Sequence, residues 1–287
     1  AAASIGQVHR ALTKDGRDLA IKEQYPGIRA SIDSDVRNLG FVIRRSGLAP
    51  TSVDLDKIME EAGKQLHEEA DYAREGDALR RFARHLGDRP GFVVPRMHED
   101  LSGPDILAMD YIPSDPIETL VDASQDRRDR AVTALLRLVL QEVFEFHDMQ
   151  TDPNFANYRV QRDSGALVLL DFGAARQFEP ALAQGCLRLL HAALSNDRDA
   201  MMAEMIHVSL CPPDLSDGDR ARLMHIVDMV ATPLRAGGVF DFGTSDLLPR
   251  LRAAGMRLAG EQEAVHVPPT DMLLMQRKVM GSYLLAE

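Results

Sequence analysis

The chain has 287 residues, of which 45% are apolar and 5% aromatic, with no Trp and a net charge of −11. That charge argues against non-specific nucleic-acid binding, which depends on Lys and Arg neutralising phosphates. It leaves room for a small phosphorylated ligand. The two cysteines, Cys186 and Cys211, fit no metal spacing and no disulfide framework. No run approaches the roughly 20 apolar residues of a spanning helix; in the longest candidate, "ALVLLDFGAA", Asp171 interrupts. The sequence opens without Met on "AAASIGQVH", which reads as the interior of a longer protein.

In chain order, "QVHRA" (7–11) and "DLAIKE" (18–23) read as two strands of a hairpin, with Asp15-Gly16 at the turn. Residues 31–46 read as a helix. Residues 53–86 carry apolar positions at helical spacing: Ile58, Ala62, Leu66, Ala70 and Ala73. "GFVVPRMHED" and "DILAMDYIP" read as strands around "LSGPD". A long helix is predicted over 125–148, and then a hairpin of "YRVQ" and "ALVLLDF" around "RDSG". Helices follow at roughly 179–195, 197–208, 217–234, 245–259 and 271–286. The character changes near "YIPSDP" at Pro113–Pro116, so a strand-rich first part, 1–112, precedes a helical second part, 113–287.

Three motifs carry chemistry when read together. Lys22 ends the half-apolar strand "LAIK", close to the V-A-I-K pattern in which a strand presents Lys to nucleotide phosphates. Asp152 and Asn157 in "TDPNFAN" have the D-x-x-x-x-N spacing of a kinase catalytic loop, where the Asp orients the attacking group and the Asn takes a Mg²⁺ position. Asp171 of "VLLDFG" follows an apolar strand, as a Mg²⁺-binding DFG Asp would. Each alone is a common turn or a solvated charge. Their order along the chain favours the catalytic reading. A second DFG, at Asp241, lacks such partners and reads as a turn or a helix cap. The Met-rich stretches "AMMAEMIH" and "DMLLMQRKVM" read as core or a soft apolar surface rather than as a lipid- or partner-binding face, and His147 reads equally well as structural or as loop-orienting.

Departures from ordinary protein kinases are visible. An Ala-rich loop, Ala1, Ala2, Ala3, Ser4, Ile5 and Gly6, stands where G-x-G-x-x-G would lie over the phosphates. Gln150-Thr151 precedes Asp152, and no A-P-E follows Asp171.

Taken with "EEADYAREGDALRRF", these stretches resemble the UbiB family of atypical kinases, also called the AarF-domain family, and its coenzyme Q biosynthesis branch above all. The resemblance implies an α+β, two-lobed protein-kinase-like fold, truncated at its start and with a family insertion at about 27–52. It implies Mg²⁺ and ATP as cofactors. It makes Glu69 of the E-x-D motif the partner of Lys22 and Glu75 a further site carboxylate; spacing alone does not choose Glu69 over Glu68. By analogy with kinases, Met109 is the gatekeeper, and Asp110, Tyr111 and Ile112 run along the adenine edge. Catalysis then falls to Asp152, Lys22 and Glu69, and metal binding to Asn157 and Asp171. The family's K-x-G-Q segment is not in this chain.

The resemblance further implies an atypical kinase or ATPase serving isoprenoid-quinone biosynthesis. Its partners would be quinone-pathway lipids or proteins, with peripheral membrane contact. The location would be cytoplasmic or membrane-peripheral in a bacterium, or the matrix side of the mitochondrial inner membrane. Two other readings stand beside it: a small-molecule phosphotransferase of the aminoglycoside or choline kinase type, and a nucleotide-binding scaffold without turnover. Gln150, two residues before Asp152, departs from the "HxDxxxxN" of the former.

Overall fold

A computed structural model describes residues 5–46, 55–87, 89–261 and 266–287. It is a mixed α+β structure whose chain divides into two compact units, Ala1–Ala134 with Asn154–Ala175, and Leu135–Pro153 with Arg176–Glu287.

In the first unit, strands β1 (Gly6–Leu12) and β2 (Asp18–Gln24) form the expected hairpin. Its turn closes through Gly16 N–H donating to Thr13 O at 3.0 Å, with Gly16 at φ +91°, a conformation that glycine adopts without a Cβ clash. Helices α1 (Ile28–Ser46) and α2 (Leu55–Glu69) follow and pack on each other.

The helical pattern over 53–86 is two helices rather than one. The backbone leaves helical geometry at Asp71 (φ −100°, ψ 86°), whose side chain accepts from Arg74 N at 3.1 Å and caps α3 (Tyr72–Leu86). Tyr72, Glu75, Gly76, Leu79, Phe82 and Leu86 recur at helical spacing as the buried face of α3.

Of the strand expected around "GFVVP", only β3 (Phe92–Val93) forms. Pro95 lacks the N–H that would continue it, although Met97 still bridges Met109. Strand β4 (Ile106–Asp110) completes an antiparallel sheet of order β1-β2-β4, in which Lys22 faces Leu107 and Ala20 faces Met109. A second sheet has the order β3-β8-β7-β5, built with β5 (Asp115–Pro116), β7 (Tyr158–Val160) and β8 (Leu167–Leu169).

Helix α4 (Gln125–Gln141) stops short of the predicted 148. A π-turn over Glu142–Phe146 ends in His147 at φ 51°, and β6 (Asp148–Gln150) follows. The π-turn buries Glu142, Val143 and Phe146 together. Strand β6 pairs with β9 (Ala175–Gln177), of which Arg176 and Gln177 belong to the second unit.

The rest of the second unit is helical as expected: α5 (Pro180–Leu194), α6 (Arg198–His207), α7 (Asp217–Ala236), α8 (Leu247–Glu261) and α9 (Thr270–Ala286). Met201, Met202 and Met205 of the first Met-rich stretch and Met272 and Met275 of the second are core residues, while Met280 is exposed, so the stretches serve mainly as packing and leave one Met on the surface. Asp241 accepts from Gly243 N at 3.1 Å and closes a turn, also as read. Cys211 is buried, and Cys186 is partly buried with its thiol 3.9 Å from Met275 Sδ; burial pushes both thiols up.

Gly281 on α9 packs directly on Pro153, where an added Cβ would come within 2.2 Å of the ring. A proline ring cannot swing away. Gly281→Ala is therefore expected to lower stability by about 1–3 kcal/mol, the cost of overpacking, read as a lower denaturant midpoint with unchanged slope.

Candidate functional site

The first unit gathers most of the residues singled out in the sequence. Lys22 on β2 is buried, and its Nζ donates to both oxygens of Glu75, at 2.9 and 2.8 Å. The same Nζ lies 3.3 Å from Asp171 Oδ2. Asp171 is fixed from its other side, with Oδ1 accepting from Gly173 N at 3.0 Å. The Tyr72 ring lies with its centroid 5.1 Å from Lys22 Nζ.

The carboxylate on Lys22 is thus Glu75, and the expectation that gave this place to Glu69 is corrected. Glu69 is exposed and ends α2, before the backbone turns at Asp71. Glu75 follows Tyr72 on the buried stripe of α3, four residues past the cap, and is 1% exposed. The local signal for it is the Asp71 cap, which resets the helical phase so that Glu75, with Tyr72 and Leu79, faces inward.

The electrostatics of this cluster are those of one cation between two carboxylates. Burial alone would lower the Lys22 pKa, but Glu75 and Asp171 outweigh it and leave it raised, so the amine stays charged. Burial, with the Asp171 charge added, pushes Glu75 up to about 7 against the pull of Lys22. Burial is the larger cause of the upward push on Glu75, and the neighbouring Asp171 charge adds to it. Burial also pushes the Tyr72 phenol up to about 12, and its hydroxyl has no hydrogen-bond partner among the described residues.

Asn157 and Asp171 are brought near each other by the β7–β8 hairpin. Tyr158 faces Leu169 in register, and Leu170 N donates to Asn157 O at 3.3 Å, so the two candidate metal ligands flank the open end of one hairpin. Phe172 is buried against Phe82 of α3, with ring centroids 4.8 Å apart. Arg74, which sequence reasoning passed over, donates to Gly173 O at 2.7 Å and ties α3 to the segment after Asp171.

On the sheet, residues paired in register share a face. Val8, Ala20, Lys22, Leu107 and Met109 therefore lie on one side of β1-β2-β4. Met109 is buried at the end of that row. Asp110 N donates to Arg96 O and Tyr111 N to Asp18 O, at 2.9 and 3.0 Å. Ile112 N–H makes no hydrogen bond among the described residues. Gly6 opens β1 with no room for a side chain, since a Cβ would lie 2.1 Å from Glu23 O. Ile5 is buried, and its carbonyl accepts from Tyr25 N at 3.1 Å. Ala1, Ala2, Ala3 and Ser4 lie outside the described residues.

Asp152 belongs to the second unit. There it accepts from Arg277 Nη2 of α9 at 3.0 Å, a contact that no sequence motif signalled.

Comparison with known proteins now fixes the family. The ABC1 atypical kinase-like domain matches residues 1–205. The chain belongs to that family. It is 34% identical over 284 residues to the mitochondrial atypical kinase COQ8B of Rattus norvegicus, covering 99% of this chain and 53% of that protein. It is 34% identical over 289 residues to the mitochondrial atypical kinase COQ8 of Saccharomyces cerevisiae, covering 99% and 57%. The chain thus spans about half the length of the curated relatives it matches. It also resembles the solved structure of the Rv3197–erythromycin complex from Mycobacterium tuberculosis, with a TM-score of 0.76 at 22% identity, over 100% of this chain and 71% of that one. That likeness is one of fold. Among the described residues no helix is long and apolar enough to cross a membrane.

Breaking the Lys22 pair separates the two glutamates. Glu75→Ala should cost about 3 kcal/mol, the low end for an unpartnered buried charge because Asp171 stays within reach. Glu69→Ala, at an exposed position, should cost less than about 1 kcal/mol. Equilibrium urea unfolding of both variants reads the difference.

Proposed function

We propose that this chain is the Mg-ATP-binding core of an atypical kinase or ATPase that serves isoprenoid-quinone (ubiquinone) biosynthesis. The observation that carries the reading is the assembled cluster Lys22–Glu75–Asp171, with Phe172 packed against α3. In kinases the strand Lys–helix Glu pair and the DFG Asp must both be in place for phosphoryl transfer. The relatives' names as atypical kinases support the same reading.

The residues present suit the ligands the family implies. Asp171 offers hard carboxylate oxygen on a half-exposed side chain, and Asn157 offers an amide oxygen. Magnesium takes one or two such groups and keeps its waters, so a larger acidic cluster is not needed. When bound, the metal would neutralise charge on the β- and γ-phosphates.

The chain's own residues do the rest. Lys22 presents N–H donors to phosphate oxygens, and Glu75 with Tyr72 holds it in that position. Val8, Ala20 and Met109 supply an apolar surface for the base, with Met109 as gatekeeper. Asp110, Tyr111 and Ile112 line its edge. The main-chain N–H groups of Asp110 and Tyr111 are already spent within the protein, so the open donor at this edge is Ile112 N–H. Gly6 opens β1, and the family resemblance assigns phosphate binding to it and to the Ala-rich residues before it, of which Ala1, Ala2, Ala3 and Ser4 lie outside the described residues. Asp152 orients the attacking hydroxyl or water. Catalysis of this kind is positioning and charge stabilisation.

A ligand that binds only the folded state raises stability by RT ln(1 + [L]/Kd), about 2.7 kcal/mol at 100 times Kd. Mg-ATP is expected to raise the unfolding temperature of the wild-type chain in a magnesium-dependent way. Asp171→Asn should lose the magnesium-dependent part of the shift and the ATP turnover with it. Full turnover in a clean Asp171→Asn preparation would overturn the assignment.

A further inference from the structure

Helix α9 lies beyond the matched region 1–205, yet it supplies the contacts that hold the segment containing Asp152. Lys278, in the middle of α9, is fully buried. Its Nζ is 3.3 Å from Glu142 Oε2 and makes a long hydrogen bond, 3.5 Å, to Gln150 Oε1. Glu142 is equally buried, and its other oxygen accepts from Gln150 N at 3.3 Å. Gln150 is therefore gripped twice, by main chain and by side chain, two residues ahead of Asp152. One residue before Lys278, Arg277 reaches Asp152 itself at 3.0 Å. One turn after Lys278, Gly281 seats Pro153.

A buried ion pair is a poor source of stability, because well-packed apolar side chains serve as well or better. What a charged pair adds is direction. Here both charges point at one residue, Gln150, at the end of β6 where the segment with Asp152 begins. Glu142 reaches it from the π-turn, whose extra residue turns Glu142, Val143 and Phe146 inward together.

We propose that Lys278 is a positioning residue for phosphoryl transfer, clamping Gln150 through its own hydrogen bond and through Glu142 so that Asp152 is presented at a fixed place. The α9 helix is then part of the catalytic apparatus. This inference rests on the reading of Asp152 as the group that orients the nucleophile.

The test uses Lys278→Met/Glu142→Gln, which removes both charges of the pair together. The expected result is folding and ATP affinity near wild type, kcat for ATP turnover lowered about 10–100-fold, as for a misplaced reacting group, and KM for ATP within about twofold. Recovery of wild-type kcat would mean that Lys278 only neutralises Glu142, and would overturn the proposal. Should the double variant fail to fold, Gln150→Met poses the same question without touching the ion pair; an unchanged kcat there overturns the proposal as well. Hydrogen exchange of the 148–157 segment is measured in parallel. Faster exchange confined to that segment supports the clamp even if wild-type turnover is absent, which would instead count against the kinase reading; unchanged exchange there counts against the clamp.

Discussion

The structure of the first unit depends on one buried ammonium. Lys22 cannot sit where it does without compensation, since an ion that size loses several kcal/mol of hydration on burial. Glu75 and Asp171 supply the compensation from elements far apart in sequence. One lies on α3, the other just past β8. The charge therefore forces three pieces of chain to a common point: a strand of one sheet, a helix, and the end of a hairpin in the other sheet. Tyr72 and Arg74, on the same first turn of α3, reinforce the arrangement from beneath the cation and from behind Gly173.

That compensation is unequal. Two carboxylates face one amine, and Glu75, pushed up first by burial and then by the Asp171 charge, stays raised despite Lys22. That surplus of carboxylate is a cost to the stability of the first unit, the kind of cost found where function and stability compete.

Much of this was legible in advance. The hairpin of β1 and β2, the five closing helices, and the identities of Lys22, Asn157 and Asp171 as the residues of interest follow from local patterns: a turn with Asp-Gly, apolar spacing, and motif order. Their presence in one unit, at one hairpin end and one ion pair, was not readable from spacing. The partner of Lys22 was misassigned because the E-x-D motif drew attention to Glu69, while the helical run from 53 to 86 does not by itself show where one helix ends and the next begins. Only the change of direction at Asp71 shows which glutamate turns inward. Lys278 and Arg277 were passed over because a basic pair inside a Met-rich helix looks like a solvated edge. Whether it is buried depends on what packs against it, and that is tertiary information. The end of α4 was overrun for a similar reason. The π-turn and the left-handed His147 have no strong residue preference to announce them.

The placement of the two cysteines has a practical consequence. Cys211 is buried and Cys186 partly buried, and burial pushes both thiols up, which lowers the share of thiolate that alkylating reagents attack. The chain thus offers a low background for labelling. A single cysteine introduced on the outward side of α3, at Ala73 or Asp77, would take a fluorophore or spin label ahead of the native pair. That label would follow the helix bearing Glu75 without any need to strip the native sulfur from the core.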